Sequence, residues 1–426
     1  MLYPQLTRIF YSILPLLCAI PLFGGIDLHS SRVAIIMIAI IFVAESLVRK
    51  RLYIPQTWLS WCSFILIIYI CGSLFYSDIP TWTALKIVFI LNISLLVVVM
   101  YNAILVIGER AMVRSVGAGG IIAGSVMLVQ FLLQFIIGKN ALQGLWISIT
   151  PLFHGEAFGQ SVIEYNSWFV NIAGIDVFRA IGLFPDPHIA GYYTGMIAPL
   201  TLACILWAKG KWRLWWVCGG SIIVVANLLT FSRGAEVGLL IGCVIAAMLM
   251  TRYVRSRGYH IFFAGMALVL IFLALPGNPL TSRFVSSFDH ADTSNTSRIE
   301  IWEKAIDIAS QQPIIGTGIG AASRFYEADA DYRRPIYAHN LFLDVLVEIG
   351  FLGLFLFSCM IGGMIRSFWH KKNILGACAI ISISIFLGHS LFDTPIFSVH
   401  TLPVLLFFLA LALYYDTQLQ KTTYKE

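Results

Sequence analysis

Two arginines and a histidine stand where the chain leaves its apolar stretches. Arg233, in TFSRGAEVG, interrupts an otherwise apolar run from 214 to 251, and Arg298 lies in SRIEIWEKA. His339 opens the apolar run YAHNLFLDVLVEIGFLG. Arginine forks bind phosphate oxygens bidentately. A histidine with a near-neutral pKa can take a proton from an attacking hydroxyl. Together these groups suit a displacement in which a hydroxyl attacks a sugar carbon and a diphosphate leaves. Two guanidiniums stabilise the growing charge without a metal. Each residue also has a plainer reading. Arg233 is then a snorkelling side chain with Glu236 as partner, Arg298 part of a packing helix, and His339 a helix cap or interface residue.

The surroundings of these three supply further candidates. Asn340, Asp344 and Glu348 fall at i, i+4 and i+8, on one stripe of a helix. Carboxylates inside a membrane helix usually face the bundle interior, so the stripe points inward. It either orients His339 or satisfies the arginines. FRAIGLFPDPHIAGYY puts Arg179, Asp186 and His188 at the entry to a span, as substrate contacts or as parts of a turn that Pro185 and Pro187 make rigid. Arg324, Arg333 and Arg334 add positive charge that attracts an anionic substrate. His389 and Asp393 read as polar glue between helices. GTGIG (316–320) reads as a tight turn, because no strand–turn–helix context surrounds it. Asp329 and Asp331 resemble a metal-holding acid pair, but a metal role is not expected.

The elements that must position these groups are membrane helices. The chain has 426 residues, 59% hydrophobic and 12% charged, with a mean hydropathy of +0.84. Soluble domains carry roughly 25% charged residues. Apolar stretches long enough to cross a bilayer core of about 30 Å recur throughout. The fold class is all-α, a polytopic membrane protein of about twelve spans. They fall near 9–26, 32–48, 58–75, 85–106, 116–137, 188–208, 214–231, 235–251, 259–275, 341–365, 374–390 and 397–415. Residues 1–426 read as a single membrane domain with long outer segments at 138–187 and 276–340.

Loop charge sets the topology. Of 28 Lys and Arg residues, 17 fall in short segments on one side, which the positive-inside rule makes cytoplasmic along with both termini. The net charge of +6 therefore reflects topology, and nucleic acid is not a partner. All eight cysteines lie within spans, so the outer face has no disulfide framework. No GxxxxGK[ST] sequence appears, which argues against an ATP-driven pump. In the second outer segment a capping box at Ser297 and Glu300 starts a helix that Pro313 ends. Its expected apolar face is Ile299, Trp302, Ile306 and Ala309, with Trp302 also a candidate substrate contact. Arg298 in the first turn opposes the helix dipole, so something else must fix it there.

The stretches SRGAEVGLLIG, SRIEIWEKAIDIASQQPIIGTGIG and YAHNLFLDVLVEIGFLGLF resemble, in this order, the successive motifs of the O-antigen ligase and polymerase superfamily of bacterial membrane glycosyltransferases. The resemblance implies a metal-independent, inverting glycosyltransferase without a cofactor, acting on glycan carried by undecaprenyl diphosphate. It implies that Arg233 and Arg298 bind the diphosphate and that His339 is the catalytic histidine. Glu348 and Gly350 match the acidic and glycine positions after that histidine, without an assigned role. The expected setting is the bacterial inner membrane, with the site at the periplasmic face and lipid A–core as acceptor. The alternatives are an O-antigen or exopolysaccharide polymerase and a protein O-oligosaccharyltransferase using the same donor. A lipid-linked glycan transporter is less favoured, because charge collects at the outer edge and no repeat is visible.

Overall fold

The computed structural model describes residues 1–22, 26–172, 174–250, 293–332 and 335–423. The first part of the chain runs α1 (Tyr3–Ile13), a hairpin of β1 (Ala19–Leu22) and β2 (Ile26–His29), α2 (Ser30–Arg49), α3 (Trp58–Gly72), α4 (Pro80–Ile107) and α5 (Glu109–Ile137). α6 (Lys139–His154), α7 (Glu156–Glu164) and a second hairpin, β3 (Phe169–Ile172) with β4 (Ile175–Phe178), occupy the first outer segment. α8 (Pro187–Trp207), α9 (Lys211–Leu228) and α10 (Arg233–Met250) follow. Beyond 292 come α11 (Thr293–Gln311), α12 (Ala322–Tyr326), α13 (Leu341–Lys371), α14 (Ile374–His389) and α15 (Thr401–Thr423).

This is a polytopic α-helical membrane protein. Among the described residues seven helices are long and apolar enough to cross a bilayer: α2 to α5, α8, α13 and α15. α9, α10 and the shorter α14 also stand where spans were expected. The expected span at 259–275 lies outside the described residues, and the count of twelve is not established. The expected span at 9–26 takes another form. Pro15 sits in a single 3-10 turn directly after α1, and the chain then turns back through the hairpin pairing Ala19 with His29. Proline removes a helical donor and clashes with the preceding turn, which stops α1 short.

Helix contacts follow side-chain size. α15 is apolar almost all round and lies buried, as such a helix must. α10 packs on α14 through Gly234, Gly238 and Gly242. A Cβ there would fall 2.4 Å from the His389 ring, 2.7 Å from the Ile385 carbonyl and 2.4 Å from the Ile385 side chain. Small residues at every fourth position let two backbones approach closely.

α13 is interrupted at Gly350, where φ is 65° and ψ is −173°. The segment after α11 inserts its backbone into the gap. Thr317 N–H donates to the Val347 carbonyl (2.9 Å) and Gly318 N–H to the Glu348 carbonyl (2.8 Å). In return Phe351 N–H donates to the Pro313 carbonyl (2.8 Å) and Leu352 N–H to that of Ile314 (3.2 Å). The Tyr69 hydroxyl takes the Ile349 carbonyl at 3.0 Å. The Val347, Glu348 and Ile349 carbonyls and the Phe351 and Leu352 N–H groups at the break thus find partners, as irregular backbone within a membrane protein requires. The GTGIG segment is the turn that makes this exchange.

α11 ends at Gln311, ahead of Pro313, but begins before Ser297, which lies in its second turn and not at its cap. Its buried stripe also differs from the expected one. Ala305 and Ala309, flanked by Ile301, Trp302 and Ile308, pack against Tyr326, Ala338 and Val347, while Ile299 and Ile306 stay exposed. The helix carries two apolar stripes, and alanines allow the closer approach.

A Cβ at Gly350 would lie 2.2 Å from the Ile314 carbonyl oxygen, in a left-handed conformation. Gly350→Ala should therefore cost on the order of 3 kcal/mol or more. Gly362→Ala, in open space on the same helix, should be neutral or slightly stabilising. Thermal unfolding of both variants in detergent checks this, and equal melting temperatures would remove the strain argument.

Candidate functional site

The turn ahead of Arg233 is built around a strained residue. Phe231 has φ 49°, a left-handed backbone that non-glycine residues rarely adopt. Arg179 holds it there. Its Nε donates to the Thr230 carbonyl (2.6 Å), Nη2 to that of Phe231 (3.0 Å) and Nη1 to that of Ser167 (3.0 Å). The guanidinium offered as a substrate contact is thus a buried clamp on this turn. Asp186 is likewise a helix cap. Its carboxylate accepts from the His188 and Ile189 N–H groups at 2.7 and 2.8 Å and starts α8. Arg233 is the buried first residue of α10, with Glu236 in the same turn.

His339 is also left-handed, at φ 51°. Contacts on both sides fix it. The Ala338 N–H donates to Asp344 (2.8 Å), and the Ala338 carbonyl accepts from the Trp302 indole (2.8 Å). Asn340 caps α13 by accepting from the Phe342 and Leu343 N–H groups at 3.0 and 3.2 Å. The Leu341 N–H reaches the Ser390 carbonyl at 2.9 Å. Such a backbone costs about 1–3 kcal/mol and persists only where its surroundings over-determine it. Trp302 and Asn340, offered as substrate contacts, therefore work on the backbone that presents His339.

The stripe Asn340, Asp344, Glu348 points inward, and both carboxylates are buried. Asp344 accepts from Ala338, from the Tyr326 hydroxyl (3.2 Å) and, through a short bond, from the Thr394 hydroxyl. Glu348 shares a crevice with Lys86 of α4 and with Tyr337. The Lys86 ammonium donates to the Tyr337 hydroxyl (3.3 Å) and lies 3.9 Å from the Phe397 ring centre.

His339 meets a carboxylate that the sequence reading treated as glue. Its Nδ1 lies 3.2 Å from Oδ1 of Asp393. A carboxylate there accepts, so Nδ1 carries the proton and the lone pair is left on Nε2. The other Asp393 oxygen lies 3.4 Å from Nδ1 of His188, which in turn is 3.0 Å from the Ser232 hydroxyl. Ser232 Oγ sits 3.4 Å from Nε2 of His389. One polar chain thus joins the starts of α8, α10 and α13 to the end of α14. The His339 side chain is 48% exposed, open enough to meet a substrate.

Electrostatics follow from this chain. Burial pulls the His339 imidazole down, but the Asp393 hydrogen bond and charge outweigh it and raise its pKa above the ordinary 6.5. Arg298 is close enough to oppose that rise. Burial alone would raise Asp393, yet His188 and His339 hold it well below the usual carboxylate range. Docking of α11 through Trp302 places Arg298 within electrostatic range of His339. Arg324 is exposed, with Nη1 3.5 Å from the Ala330 carbonyl, and Asp329 and Asp331 are exposed as well. Arg333 and Arg334 lie outside the described residues.

A family model described as O-antigen ligase matches residues 218–358, which hold Arg233, Arg298 and His339. This part of the chain belongs to the O-antigen ligase family. The chain is similar to the exopolysaccharide production protein ExoQ of Rhizobium meliloti, 23% identical over 55% of the chain and 57% of that protein. It is similar to the ComP-specific O-oligosaccharyltransferase of Acinetobacter baylyi, 21% identical over 86% of the chain and 63% of that protein. A putative polysaccharide ligase of Rickettsia conorii is 26% identical over 35% of the chain and 39% of its own length. The chain thus spans less than two thirds of each relative. His188, His389 and Asp393 lie outside the matched O-antigen ligase segment. The one local signal for Asp393 was its place four residues after His389 at the mouth of a span.

Asp393→Asn should lower the pKa of His339, because burial and Arg298 are then opposed only by the smaller effect of Asp344. Histidine resonances followed by NMR against pH give the check. The wild-type ring should titrate above 6.5. An unchanged midpoint in the variant would break the pairing.

Proposed function

We propose that this chain is a metal-independent, inverting glycosyltransferase that moves glycan from undecaprenyl diphosphate to lipid A–core at the periplasmic face of the bacterial inner membrane. The observation that carries the proposal is the His339–Asp393 pair, which leaves Nε2 free and half open to the outside, with Arg298 beside it. In the reaction Nε2 takes the proton of the acceptor hydroxyl as its oxygen bonds to the anomeric carbon. The carbon–oxygen bond to the diphosphate breaks, and its electron pair leaves on the diphosphate. Arg233 and Arg298 bind the growing charge, and Asp393 stabilises the imidazolium, as a carboxylate does for a catalytic histidine elsewhere. A positioned base contributes about 10²–10⁴-fold. The membrane-spanning helices that carry the site and the position of the family match support a lipid-linked donor.

A protein acceptor is the second reading. It is favoured by the length of the similarity to the O-oligosaccharyltransferase, 86% of the chain. Deleting the gene and running the surface glycan on a gel separates the readings. A ligase should leave long chains stranded on the lipid carrier, whereas single-repeat caps on lipid A would mark a polymerase. A modified protein that loses its glycan would mark the second reading. His339→Ala should insert normally and lose transfer by about 10²-fold or more, while EDTA should have little effect. Retained transfer in that variant would remove His339 from the base role. Strong inhibition by EDTA would overturn the metal-free reading. The wild-type rate should climb with pH through the His339 pKa, because only the neutral ring accepts a proton.

A further inference from the structure

His188 from the start of α8, His389 from the end of α14 and Asp393 just beyond it form a second arrangement within the polar chain. One ligand atom from each lies within 4.8 Å of the other two. Two ligands on a tetrahedral ion, each about 2.0–2.1 Å from it, stand about 3.3 Å apart. Nδ1 of His188 and Oδ2 of Asp393 already lie at 3.4 Å. That pair already has the spacing of two ligands on one ion, and a ligand atom of His389 lies within 4.8 Å of both residues.

The rings are held in place for this. His389 is fully buried, stacked on Tyr192 with ring centres 3.6 Å apart and planes 2° from parallel. Its Cδ2–Nε2 edge lies against Gly234, where a Cβ would come within 2.4 Å of the ring. The Tyr192 hydroxyl also donates to the Asp393 carbonyl at 3.0 Å, which ties the carboxylate's backbone to the same stack. His188 and Asp393 remain partly exposed, with 20% and 14% of their side chains open, so an ion can enter. Two imidazoles and one carboxylate suit a late first-row dication such as zinc and are poor ligands for calcium or magnesium.

We propose that this cluster binds zinc and that the bound ion switches transfer off. The ion takes Oδ2 of Asp393 and neutralises its charge, so the carboxylate, although Oδ1 still faces His339, no longer stabilises the imidazolium as it does in the free site. The binding rests on geometry alone. The inhibition rests also on the glycosyl transfer proposed above.

The test uses metal-free full-length protein in detergent, titrated with zinc chloride. One zinc ion per chain should bind, calcium should not compete, and X-ray absorption of the loaded protein should show histidine nitrogen and carboxylate oxygen ligands. His188→Ala should weaken zinc binding at least about tenfold. Transfer by the wild-type protein should fall in step with zinc occupancy and return on adding EDTA. Absence of histidine ligands in the absorption spectrum, or unchanged binding in a folded His188→Ala protein, would overturn the site. Full transfer at saturating zinc would overturn the switch and leave the site standing. Tight zinc binding by a protein that transfers no glycan under any condition would count against the proposed function, not against the site.

Discussion

A buried carboxylate is expensive unless donors surround it, and Asp344 is surrounded by three that come from three different segments. The Ala338 N–H belongs to the segment that presents His339. The Thr394 hydroxyl belongs to the turn that presents Asp393. The Tyr326 hydroxyl belongs to α12, which packs on α11 and so on the helix of Arg298. Desolvating an ion costs several kcal/mol in real proteins, and each of these bonds offsets part of that. The three segments can therefore occupy only one mutual arrangement without leaving a charge unsatisfied. That arrangement places His339 against Asp393.

The break at Gly350 supplies the other half of this constraint. A continuous helix from Leu341 to Lys371 would carry Asp344 and Glu348 at an angle fixed by the membrane-spanning part below. With α13 divided, its first part takes its own orientation and is anchored sideways by the backbone of residues 313–318. The anchoring is by peptide groups on both sides, so Gly316 and Gly350 must both lack a side chain. A Cβ on either would fall within 2.6 Å of the facing backbone. The same insertion fixes the end of the segment between α11 and α12. α11 is thus tied both by this turn and by Trp302.

What the sequence allowed and what it hid divide along a physical line. Membrane helices announce themselves by length and hydropathy, and ten of the twelve expected spans coincide with helices. The types of Arg233, Arg298 and His339 pointed to phosphate binding and proton transfer, and their polar surroundings could be listed. Partners distant in sequence could not. His339 and Asp393 are 54 residues apart, and nothing local marks one as the other's acceptor. Arg179 was left between substrate contact and turn, because a lone arginine near a span mouth gives no hint that three carbonyls await it. Half of the expected face of α11, Trp302 and Ala309, packs inward, whereas Ile299 and Ile306 were preferred to Ala305 because they are more hydrophobic. Closeness of backbone approach, not hydrophobicity, decided which stripe is buried.

The end of the bundle that holds His339 has an electrostatic character that its individual residues understate. The starts of α8, α10 and α13 meet there, at His188, at Ser232 with Arg233, and at His339 with Asn340. A helix start carries roughly half a positive charge in its free N–H groups. Placing Arg233 at such a start is unfavourable for the helix by itself, by about 0.3–1 kcal/mol. It becomes favourable once an anion occupies the space, because dipoles and guanidinium then act on it together. Asp393 is the carboxylate that the two neighbouring histidines share, through a hydrogen bond from His339 and a 3.4 Å approach of His188. On the proposed reading, a diphosphate arriving at this end meets three helix starts and a guanidinium, while the counter-charge of His339 lies on Asp393. Such a division lets one site bind an anionic leaving group and deprotonate an acceptor without the two tasks opposing each other.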